Sequence, residues 1–176
     1  MYKNKDTLAL SVIKQYVEIG SKLVVKAKEV DRKLRQKAAC FVTVYVNGGL
    51  RGCTGNAVTS GPLYKTIIYN AVETISHDYR FLPITKEDLP DLTVEVSVLT
   101  PLTIYQPKNN QSLLTFLAQR KPGLVVKKIG LSALFLPQVW KELPNAENFL
   151  SRLCVKAGLS PGAWKEHATF WIFSVH

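Results

Sequence analysis

The chain is short of the residues from which metal sites and disulfide frameworks are built. It has three cysteines in 176 residues, Cys40, Cys53 and Cys154, an odd number with no C-x-x-C pair. With no secretory leader in view, that count argues against a disulfide framework. The three histidines, His77, His167 and His176, form no H-x-x-x-H pattern. No zinc or iron–sulfur site is expected, and no cofactor. Long apolar runs are also missing. None approaches the ~20 residues of a membrane helix, and Asp6 interrupts the N-terminal segment before an apolar leader can form. The expected location is cytoplasmic, with no membrane partner. Acidic side chains are scarce as well, at 13 Asp and Glu against 23 Lys and Arg, for a net charge of +10.

What is present suits a globular protein. Hydrophobic residues make up 47% of the chain and charged ones 20%, enough for the core of one domain with room for a small lobe. Half of the charge excess lies in residues 22–37, where seven Lys and Arg face two carboxylates for a net +5. A solvated helix end and loop accounts for such a run. Attraction of nucleic acid or an acidic partner is the alternative, with affinity that would fall steeply with salt. No aromatic residue interleaves with these lysines and no nucleic-acid motif stands out, so nucleic acid ranks last among the partner classes.

Periodicity outlines the elements. Leu8, Val12, Tyr16, Ile19 and Leu23 predict an amphipathic helix over 7–28, capped by Asp6 or Thr7 and running through Gly20. Residues 39–47 read as a strand, with Phe41, Thr43 and Tyr45 on one face and Val42, Val44 and Val46 on the other. Asn47-Gly48-Gly49 signals a tight turn, and Leu50 to Cys53 begins the return strand, which places the glycine-rich segment where a hairpin emerges. Ser60-Gly61-Pro62 predicts a cap and first turn for a helix that ends near His77. Thr85 and Asp88 have capping-box spacing, and residues 92–99 alternate as a strand with Glu95 on its polar face. Further on, a short helix is expected at 111–119 and a hairpin over 123–136 with its turn at Ile129-Gly130. Asn145 would cap a helix reaching Lys156, and a last β-like segment lies at 168–175. Strands outnumber helices and regular β-α-β crossovers are lacking, which predicts an α+β fold with a mainly antiparallel sheet flanked by helices.

One segment carries candidate chemistry. Gly48-Gly49-Leu50-Arg51-Gly52-Cys53-Thr54-Gly55 packs four glycines, an arginine and a cysteine into eight residues. Such glycines leave backbone N–H groups uncovered. Arg51 is a fixed, planar cation suited to a carboxylate or phosphate. Two residues on, in an extended segment, Cys53 would share its side, and a cation beside a thiol lowers the thiol pKa. His77 is the candidate base. Asp78 would orient it or pair with Arg80. Glu95 would supply an acid, a base or a partner for Arg51. The bland alternatives are a cysteine that fills a tight turn and an arginine that bridges to Asp78 or Glu95.

The hexapeptide Leu50-Arg51-Gly52-Cys53-Thr54-Gly55 resembles the LRGCIG signature of the AMMECR domain family. Four further blocks agree in order: Asp78 to Pro83, Val94 to Thr100, Leu136 to Val139, and Phe149 to Leu159. Thr54 stands where the family has isoleucine, and Tyr79 where it has proline. The resemblance spans nearly the whole chain and implies a single α+β domain, residues 1–176, with a larger and a smaller lobe. It implies no settled activity. Relatives are associated with radical-SAM and Memo-type proteins, which suggests a component of a modification system. The expected site joins Cys53, His77 and Glu95 as catalytic candidates to Arg51, Gly52, Thr54, Gly55, Asp78 and Arg80 as ligand-binding ones, around a small anionic or carbonyl ligand. A non-catalytic binding or adaptor module that uses the glycine loop and Arg51 is the alternative.

Overall fold

The computed structural model describes residues 1–59 and 61–176. The expected cap at Ser60 therefore lies outside the described residues. The chain is α+β, with antiparallel sheets of three and four strands. It divides into two compact units, Met1–Leu99 and Thr100–His176.

The first unit opens on helix α1 (Lys5–Ile19). Its cap is Asn4, whose side chain accepts the Asp6 N–H at 2.7 Å. Asp6 is drawn off by tertiary structure and accepts the Val96 N–H at 2.7 Å instead. Gly20 ends the helix in the left-handed region at φ 76°, so α1 does not run to residue 28. The apolar stripe stops there too. Ile19 is 70% exposed, whereas Leu8, Ala9, Val12 and Ile13 are buried.

Two short 3-10 turns then lead to strand β1 (Ala39–Val46). Asn47 and Gly48, at φ 51° and 76°, form the two-residue turn into β2 (Gly49–Gly55). Helix α2 (Leu63–Ser76) follows, then a 3-10 turn at Lys86–Asp91 held by the Thr85/Asp88 capping box, then β3 (Leu92–Leu99). The sheet order is β2-β1-β3. Val42, Val44 and Val96 pack with α1 and the buried Ile67, Ala71 and Ile75 of α2. The alternate side chains lie on the opposite face of the sheet.

The second unit holds β4 (Thr103–Tyr105), α3 (Asn110–Arg120), β5 (Gly123–Lys128), β6 (Leu131–Phe135), α4 (Ala146–Lys156) and β7 (Thr169–Phe173), with sheet order β4-β7-β5-β6. Asn145 caps α4 as its spacing predicts. The core here is built on Phe149, against which Trp140 stacks with centroids 3.8 Å apart. β4 has only three residues, too few for an alternation to register in the sequence. Among the described residues, no helix is long and apolar enough to cross a membrane.

Candidate functional site

The return strand expected to begin over Leu50 to Cys53 is present and takes in the rest of the glycine-rich segment, so no ligand loop remains at Leu50–Gly55. Leu50 to Gly55 lies wholly within β2, and two of its glycines face protein rather than open space. A Cβ at Gly52 would lie 2.6 Å from the backbone oxygen of Thr74 on α2, and one at Gly55 would collide with the Cys40 oxygen and Phe41. The absence of side chains lets α2 and β1 close on β2. The uncovered amides expected of a phosphate cradle are not what these two glycines provide. Thr54 pairs with Val42, so alternation puts it on the helix side of the sheet, opposite Cys53.

A β-bulge interrupts the strand. Val44 pairs with Gly52 and Tyr45 with Leu50, which leaves Arg51 as the extra residue. The simple alternation from Arg51 to Cys53 is broken at this point. Arg51 donates from Nη1 to Asp88 Oδ1 at 3.2 Å, so its carboxylate is neither Asp78 nor Glu95. Asp88 also accepts the Thr85 N–H at 2.9 Å, and that bond, with Arg51 behind it, holds its carboxyl below the usual range.

Cys53 is half-buried on an edge strand whose outward backbone groups need partners. The loop after α2 supplies them. Asp78 Oδ2 accepts the Cys53 N–H at 2.9 Å, and Arg80 Nη2 donates to the Cys53 carbonyl at 3.1 Å. The two loop residues are themselves joined in a two-pronged pair, Nε to Oδ1 at 2.8 Å and Nη2 to Oδ2 at 2.6 Å. The Asp78 side chain is only 4% exposed. Arg80 foremost, with the Cys53 N–H assisting, holds the Asp78 carboxyl down at about 2. Asp78 is thus committed to Arg80 and to Cys53, not to His77. The exposed His77 has its Nδ1 3.5 Å from Glu73 Oε2, one turn back on α2.

Across the sheet, Cys53 is paired with Thr43, and Thr43 with Glu95. Directly opposed residues of antiparallel strands share a face. The three therefore form one row, and the Thr43 hydroxyl donates to the Cys53 sulfur at 3.4 Å. Tyr45 stands beside this row. Burial, with the charges of Glu95 and Cys53 adding to it, pushes its phenol up. Thr43 and Tyr45 were legible only as strand residues. Their alternation on the Cys53 side of a hairpin was the available signal. The other two thiols are remote from such chemistry. Cys40 is fully buried, its thiol pushed up to about 12 by burial, and burial raises Cys154 too. Among the described residues, no group of three or more His, Cys, Asp or Glu is arranged to hold a metal ion.

These features define a two-unit α+β protein whose single half-buried cysteine sits in an edge strand braced by an Asp-Tyr-Arg loop. The model of the AMMECR1 family matches residues 7–176. The chain is 37% identical over 154 residues to a protein of Methanothermobacter thermautotrophicus, covering 85% of this chain and 79% of that one. It is 33% identical over 159 residues to protein MJ0810 of Methanocaldococcus jannaschii, covering 89% and 78%. The crystal structure of the uncharacterized protein PH0010 from Pyrococcus horikoshii superposes with a TM-score of 0.84 at 31% identity, over 97% of this chain and 87% of that one. The chain belongs to the AMMECR1 family.

Proposed function

We propose that this protein is an enzyme, or the thiol-bearing component of one, in which Cys53 attacks the carbonyl carbon of a small acyl ligand. The observation that carries the reading is the row Cys53–Thr43–Glu95 with the Thr43 hydroxyl aimed at the sulfur. A hydroxyl donating to sulfur favours the thiolate, and Glu95, two strand spacings or about 10 Å from Cys53, can take the thiol proton only through intervening water. In the step so defined, the thiol proton passes through intervening water to Glu95 and the Sγ–C bond forms. The leaving group then departs with that proton, and a thioester remains on Cys53. Arg51 uses one guanidinium nitrogen on Asp88 and has further N–H donors for a ligand carboxylate. Radical-SAM and Memo-type proteins are the partners that the family resemblance suggests for such a component.

The test is alkylation of the native protein by iodoacetamide across pH, read by peptide mapping. Cys53 is expected to label fast, with an apparent pKa below the ordinary ~8.5. Cys40 and Cys154 should stay silent, because burial blocks and raises them. Thr43→Val should slow Cys53 and raise its apparent pKa. If Cys53 labels no faster than Cys154, the nucleophile reading is wrong. The adaptor reading then stands, favoured by Tyr79 and Leu82, which are 96% and 81% exposed around the loop that braces Cys53.

A further inference from the structure

The basic stretch 22–37 gains its meaning from what α2 places beside it. Both carboxylates of the stretch serve the backbone. Glu29 accepts the Lys26 N–H at 2.6 Å, and Asp31 accepts the Lys33 N–H at 2.9 Å. Arg35 is spent on structure too, donating from Nε and Nη2 to the Val30 carbonyl. The other six cations of the stretch have no ion-pair partner among the described residues. Their charge is therefore offered outward, uncompensated.

This charge lies along α2. The Leu63 N–H donates to the Gln36 carbonyl at 2.8 Å, and Lys37 bridges to Pro62. From that point Lys65 and Tyr69, one helical turn apart, are both exposed. Tyr69 is 51% exposed, and Lys22 Nζ comes within 5.6 Å of its ring centroid. From Pro62 to Tyr69 the helix rises about 10 Å. An aromatic ring absent from the basic stretch in sequence thus sits beside Lys22 in space, on the helix whose first turn meets Gln36 and Lys37.

We propose that this face binds single-stranded nucleic acid, with phosphates on Lys33, Lys37 and Lys65 and a base stacked on Tyr69 beside Lys22. Unpaired lysines suit a phosphate chain, and an exposed ring among them suits any base. Lys33 sits on a short 3-10 turn, Lys65 on a helix packed into the core, and Lys22 and Lys37 on the connecting chain, so no helix or ribbon projects far enough to enter a duplex groove. An acidic peptide would use the cations and leave the ring without a role. The proposal is independent of the chemistry assigned to Cys53.

The test is fluorescence anisotropy of a short fluorescein-labelled oligouridylate with the full chain over a range of salt. Affinity should fall linearly in log–log form, and Lys33→Gln/Lys37→Gln should reduce the slope by about 1.4. Tyr69→Ala should weaken binding about tenfold, whereas Tyr69→Phe retains it. All three positions are exposed, and circular dichroism of each variant checks that the fold is kept. Absence of binding overturns the proposal, as does Tyr69→Ala binding like the parent. So does equal or better competition by polyglutamate, by phosphatidylserine vesicles or by a duplex of the same length.

Discussion

Gly52→Ala is expected to destabilise the chain by about 3 kcal/mol, which lowers Tm by about 6–12 °C in a protein of this size. The added Cβ would lie 2.6 Å from the Thr74 backbone oxygen and 2.7 Å from Thr74 Cγ2. A flexible side-chain tip could move aside, but a helix carbonyl can yield only if α2 lifts from β2. That movement would also strain the Thr74 hydroxyl, whose single proton lies between Asn70 O at 2.7 Å and Val42 O at 3.1 Å. The double variant Gly52→Ala/Thr74→Ser removes Cγ2 and keeps the hydroxyl. It should recover less than half of the loss, because the carbonyl clash persists. Calorimetry of the three proteins decides the matter. An unchanged Tm for Gly52→Ala would sink the packing role and return this glycine to close approach of a ligand.

The second large effect concerns Asp78. Asp78→Ala should cost about 2–4 kcal/mol at neutral pH, since it strips a nearly buried acceptor from the Cys53 N–H and both prongs from Arg80. The ionised form carries the benefit, and the direction with pH follows. Its folded pKa of about 2 lies below the ordinary value of 3.8, so its contribution is complete above the unfolded value and fades as pH falls toward the folded one. Arg80 is 47% exposed, and screening there trims the linked part to about 1–2 kcal/mol. Urea unfolding of the parent and Asp78→Asn at several pH values checks this. Their stability difference should shrink between about pH 4 and pH 2. A difference that stays constant over that window would show that the Asp78 charge does not contribute.

These predictions turn on features that differ in how far they could be read beforehand. β1, β3 and the Asn47-Gly48 turn were legible because alternation and turn chemistry are local properties of a few neighbouring residues. The capping box at Thr85 and Asp88 and the cap at Asn145 were legible for the same reason. The end of α1 is not legible in the apolar spacing, which continues to Leu23, because Gly20 takes a left-handed φ that stops the helix. Asp6 looked like a cap and became the acceptor for an edge strand ninety residues away. The hairpin turn makes the start of β2 at Leu50 to Cys53 legible, but glycine density in LRGCTG suggests uncovered amides that the fold does not provide. In the fold, Gly52 and Gly55 mark close approach.

The sequence by itself determined the α+β class, the family, the rarity of thiols and the one segment where a cysteine and an arginine lie among clustered glycines. All of these depend on local patterning or on ordered motifs. Only tertiary structure decided the partners. Arg51 goes to Asp88 through a bulge, Asp78 to Arg80 and the Cys53 backbone, His77 to Glu73, and Thr43 stands between Cys53 and Glu95. It also set Tyr69 beside Lys22, a cation far earlier in the chain. Pairing of this kind is fixed by strand register and by helix packing over long sequence separations, where several carboxylates compete for each cation and no local rule chooses between them.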